Sequence, residues 1–96
     1  MATVFVPYSN DRPASIEIKG HRLIILAAVQ DDLIPDLFEV GGTEVRPLQL
    51  RDETEGQIQD LNELAECVRG GIVIAPPGVR ARTMIKNLEN ELPWLQ

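Results

Sequence analysis

Three short apolar runs, Leu23-Ile24-Ile25-Leu26-Ala27, Val45-Arg46-Pro47-Leu48-Gln49-Leu50 and Ile72-Val73-Ile74-Ala75, are separated by stretches with helical periodicity. Parallel strands need a crossover long enough to hold a helix, so this alternation predicts an α/β domain. With 96 residues the chain has room for one domain, 1–96, and for one modest core without metal or disulfide support. The expected architecture is a small two-layer or three-layer sandwich. Its βαβαβα core has parallel strands and is extended by an N-terminal antiparallel strand pair.

Local signals place the elements. Thr3-Val4-Phe5-Val6 is β-prone and stopped by Pro7, and Ser15-Ile16-Glu17-Ile18-Lys19 alternates polar with apolar. Gly20 between that run and the next predicts a tight hairpin around Lys19-Gly20-His21. The run 23–28 is continuously apolar, as in a strand covered on both faces. A short helix is expected from Asp31-Asp32 to about Val40, with Leu33, Leu37 and Val40 on one stripe, Pro35 in its first turn and Gly41-Gly42 as its end. Pro47 argues that the second run lies at a sheet edge, because proline cannot donate to a ladder on both sides.

Asp52 or Thr54 caps the next helix, each followed three residues later by Glu55 or Gln57. Ile58, Leu61, Leu64, Ala65 and Val68 form its apolar face, and Gly70-Gly71 closes it. Pro76-Pro77-Gly78 ends the third run, and a last helix over 79–92 carries Ala81, Ile85, Leu88 and Leu92 on one face, with Trp94 packing back as a lid.

Composition narrows the class. A hydrophobic content of 44% is that of a globular chain, and no stretch approaches the roughly 18–20 apolar residues of a membrane span. The single cysteine, Cys67, cannot form an internal disulfide and fits a reducing compartment, so the chain reads as soluble, unprocessed and cytoplasmic. Net charge is −6: residues 1–30 carry +1, 31–68 carry eleven acids against two arginines for −9, and 69–96 carry +2. Nonspecific duplex binding is disfavoured, since that affinity comes from cations replacing counterions at phosphates.

Two motifs are candidates for chemistry. In open α/β sheets ligands bind beyond the carboxyl ends of strands, and the 76–83 loop joins such an end to a helix N-terminus. Pro77, Gly78, Arg80, Arg82 and Thr83 are therefore a candidate anion loop, although the two arginines also suit pairing with the acidic middle of the chain. Asp31, Asp32 and Asp36 at one junction and Asp52, Glu53 and Glu55 at the next are placed to hold Mg²⁺, but capping explains acids at helix starts more simply. One Cys and one His are too few for zinc. Ser9 and Ser15 lack a nucleophile context, His21 lies in a turn and Cys67 in a helix. Gly-rich phosphate fingerprints are absent. No catalytic residue, metal or cofactor is expected.

Two functions follow as expectations. The first is a non-enzymatic interaction or regulatory module, using an acidic helix face at Asp60, Glu63 and Glu66 or an open sheet edge, with a partner protein or a second copy. The second is a binder of a nucleotide or other phosphate or anion, or a minimal enzyme acting on one, through the 76–83 loop.

Overall fold

A computed structural model describes residues 2–91. It is a mixed α/β fold with a six-stranded sheet: β1 (Ala2–Ser9), β2 (Arg12–Pro13), β3 (Ile16–Ile18), β4 (His21–Ala27), β5 (Glu44–Leu50) and β6 (Gly71–Ala75). Helix α1 (Thr54–Glu66) joins β5 to β6, and α2 (Ala81–Glu91) follows β6. The expected lid at Trp94 and the end of the last helix at Leu92 lie outside the described residues.

The sheet differs from the expected one in its centre. The three apolar runs do point the same way, but β1 lies between β4 and β5, antiparallel to both. Among the described residues only β4 and β6 are parallel neighbours, in register from Leu23↔Gly71 to Ala27↔Ala75, and most of the pairing is antiparallel. The βαβαβα arrangement is therefore replaced by the spatial order β5, β1, β4, β6. Strands β2 and β3 fill the fork where β1 and β4 diverge, β2 against Tyr8 and Ser9 and β3 against His21 to Leu23.

Pro7 explains why β1 reads as shorter than it is. Its carbonyl accepts from the Ala14 N–H at 2.8 Å, so its nitrogen faces the same fork, where no ladder bond to β4 is made. The missing donor costs nothing there, and the strand continues to Ser9. The expected strand pair thus becomes two hairpins, each with positive φ at both turn residues, as in type I′ turns: Asn10-Asp11 joins β1 to β2, and Lys19-Gly20 joins β3 to β4.

Residues 30–36 form two 3-10 turns, Gln30–Asp32 and Ile34–Asp36, in place of the expected α-helix. Their bonds run from residue i to i−3 (Asp32 to Val29, Leu33 to Gln30, Asp36 to Leu33, Leu37 to Ile34), and Pro35 has no N–H with which to start an α-helical ladder. Gly41 does end the segment: at φ +82 it forms the left-handed residue of a Schellman turn, with the Gly42 N–H on the Leu37 carbonyl and its own on that of Phe38. At the end of α1 the left-handed place is taken by Arg69, not by Gly70 as expected. Gly70 is needed for another reason, since a Cβ there would lie 2.2 Å from the Arg22 carbonyl oxygen of β4.

Strand alternation sends Val6, Ile24, Leu26 and Ile72 to one face, under Leu61, Leu64 and Val68 at α1. Phe5, Ile25, Ala27, Val73 and Ala75 face the other way, under Leu33, Leu37 and Val40 and under Ala81, Met84, Ile85 and Leu88 of α2. The result is three layers with the sheet in the middle. Ile58, expected in the apolar face of α1, is 53% exposed.

Candidate functional site

The predicted anion loop folds onto its own carboxylates. Beyond the carboxyl end of β6, Gly78 adopts φ +85 and donates its N–H to Asp32 Oδ2 at 2.8 Å. Asp36, only 2% exposed, accepts the Arg82 N–H on Oδ2 at 2.9 Å, which places a carboxylate at the N-terminus of α2. Arg80 closes on the same group, with Nε 3.2 Å from Oδ2 and Nη2 on Oδ1. Arg82 Nε lies 3.9 Å from Glu39. Burial pushes the Asp36 carboxyl up, but the hydrogen bonds from Arg80 and Arg82 and the charges of both arginines outweigh it and hold it below its ordinary value.

Thus the two motifs read separately in the sequence meet: Asp32 and Asp36 occupy donors that an external anion would need. The pairing of arginines with the acidic middle of the chain was the legible signal, and the choice of Asp36 as its centre was not. Pro77 and Thr83 are exposed beside this clamp. No pocket opens among the described residues, and no group of three or more His, Cys, Asp or Glu side chains is gathered there as a metal cluster.

The acidic face of α1 is divided. Asp60 turns to Arg51, accepting its backbone N–H at 3.1 Å and approaching Nη2 at 2.9 Å. These Arg51 hydrogen bonds, together with its charge, lower the Asp60 carboxyl despite some desolvation. Glu63 and Glu66 remain exposed, Glu63 accepting from Gln59 one turn earlier. The N-cap position of α1 is Glu53, between the two expected caps Asp52 and Thr54, and Glu53 makes no side-chain cap bond. Cys67 is exposed with its Sγ on the Glu63 carbonyl, Ser15 accepts from Arg22, and His21 pairs with Ile18 at the β3–β4 hairpin.

The sheet edges carry the features that remain. Among the described residues β5 pairs with β1 alone, and since the backbone of Phe5 turns towards the fork, Pro47 opposite it turns its nitrogen outward. On the same strand Arg46 is held by Asp11 at 2.6 Å and Glu44 at 2.7 Å, over the Tyr8 ring at 4.4 Å. Among the described residues β6 pairs with β4 alone, and the Ala28 N–H on the Ala75 carbonyl shows that residues 71, 73 and 75 turn their backbone groups inward. Ile72 and Ile74 therefore present N–H and C=O to the outside. Ile74 is 37% exposed, and the edge residues from Gly71 to Ala75 include no charge and no proline. Away from the edges, Phe38 is 91% exposed beside the Asp36 clamp.

No protein-family model matches this chain, and no curated protein or solved structure matches it either. No helix among the described residues is long and apolar enough to cross a membrane.

Proposed function

We propose that this protein is a non-enzymatic interaction module that recruits an extended strand to the free edge of β6. One observation carries the reading: two successive outward backbone positions, Ile72 and Ile74, lie on an apolar edge without the charges or proline that ordinarily block pairing. Strand addition derives affinity from main-chain hydrogen bonds and specificity from the side chains beside them. Here those are isoleucines, so the fitting partner strand is uncharged and β-branched where it meets them. The free Cys67 suits a reducing, cytoplasmic setting.

The test is selection of a random displayed peptide library on the wild-type protein, with Ile74→Pro as the counter-selecting bait. Proline at 74 removes an outward N–H and no bond to β4, so the fold is retained while the edge is blocked. Peptides with alternating apolar residues that bind the wild type and not the variant are expected. A selection yielding only peptides that bind both equally refutes the reading.

A further inference from the structure

We infer that the strand recruited by β6 is the β6 of a second copy, paired antiparallel about a two-fold axis at Val73; this rests on the proposed role of the edge. The sequence of the strand, Gly-Ile-Val-Ile-Ala, is a palindrome of residue size. A two-fold interface must match itself, and here every position meets one of its own kind: Val73 faces the partner's Val73, Ile72 faces the partner's Ile74, and Gly71 faces the partner's Ala75.

The backbone phase fits the same axis. Val73 turns its N–H and C=O towards β4, so it forms the non-hydrogen-bonded pair at the centre. Ile72 and Ile74, with their groups outward, then form the hydrogen-bonded pairs on either side, each exchanging both N–H bonds with the partner. On the α1 face Ile72 and Ile74 of both copies come together, which covers the exposed part of Ile74.

Charge at the two ends of the edge selects this orientation. Arg69, exposed just before β6, forms no ion pair among the described residues. At the other end Asp32 is held against Gly78. The paired stretch about Val73 ends at Gly71 and Ala75, since Arg69 is left-handed at the end of α1 and residues 76–79 form a turn; antiparallel alignment brings the end of one strand that carries Arg69 towards the end that carries the partner's Asp32. Parallel alignment would instead bring arginine to arginine and aspartate to aspartate. The guarded β5 edge offers no equivalent contact.

Sedimentation of the full chain up to about 1 mM should show a mass approaching twice that of the monomer. Ile74→Pro and Ile74→Lys should each remain monomeric with an unchanged circular dichroism spectrum, the lysine variant retaining the N–H but placing charge against the partner's Ile72. Arg69→Glu should weaken association at least about tenfold. Isotope-filtered spectra of a mixed labelled and unlabelled sample should show a contact between the Val73 Hα atoms of the two copies, as close as they are in a non-hydrogen-bonded antiparallel pair. A wild type that stays monomeric, or a dimer that survives both substitutions at 74, overturns the inference. If the wild type is monomeric while edge-specific peptides are still selected, the second copy is refuted and strand recruitment stands; if neither is seen, both fall.

Discussion

β5 and β6 are edge strands of one sheet, run in the same direction and are joined through α1, yet their edges differ in what they present. β5 turns Pro47 outward and fixes Arg46 between Glu44 and Asp11, so an incoming strand would meet a missing donor and a network of charge. β6 presents isoleucine backbone and side chain with neither device. A sheet with two open edges tends to extend without limit, whereas one open edge limits symmetric assembly to a pair. The contrast teaches that an unguarded edge in a chain which guards its other edge is better read as a contact surface than as an omission.

The severest way to break this contrast is to unseat β6 itself. Gly70→Val places a Cβ against the Arg22 carbonyl, which belongs to backbone and cannot swing away. Overpacking of this kind costs about 3 kcal/mol or more, and the urea midpoint should fall accordingly. A midpoint unchanged from wild type would show that β6 is not seated on β4 as described.

Next in size is the clamp that fixes the junction from β6 to α2. Asp36→Asn leaves the Arg80 guanidinium without its counter-charge and weakens the cap at Arg82. Breaking a fully buried pair costs about 3–5 kcal/mol, but Arg80 is half-exposed and water takes up part of the loss, so about 1–3 kcal/mol is expected. The pH dependence has a definite sign. Because the folded pKa of Asp36 is depressed, its contribution is fully present above the unfolded carboxyl value near 3.9 and is lost as pH falls through the folded value. Acid titration of stability should therefore be shallower in Asp36→Asn than in wild type, and identical slopes would remove Asp36 as an acid-sensitive anchor.

The smallest change in stability, with the most informative change in assembly, is expected from Pro47→Val. The outward position makes no ladder bond, so unfolding should shift by no more than about 1 kcal/mol. With both edges then able to pair, light scattering should reveal species larger than a dimer at high concentration. Scattering no greater than that of wild type would mean that Pro47 is not the guard of β5.

Much of this fold is legible in the residues. The continuous apolar run at 23–27, the amphipathic repeats of α1 and α2, the Lys19-Gly20 hairpin and the edge position announced by Pro47 all depend on local chemistry, and local chemistry is what a sequence displays. Position 35 is informative too, but the local pattern puts its proline in the first turn of a helix, where it is tolerated, whereas in the fold it stands at the point where the ladder fails to start.

The sequence by itself determined which segments are strands and helices at 23–27, 45–50, 72–75 and along both amphipathic stretches, because side-chain periodicity and turn residues act over a few positions. Only the tertiary structure decided that β1 divides β4 from β5, since Pro7 is excluded from a strand or welcome in one according to whether a neighbour asks for its N–H. It alone decided that Asp32 and Asp36 fill the 76–83 loop, a meeting across 44 or more positions that no local pattern encodes. It decided too which strand is left with a free edge, because an edge is defined by the neighbour a strand lacks.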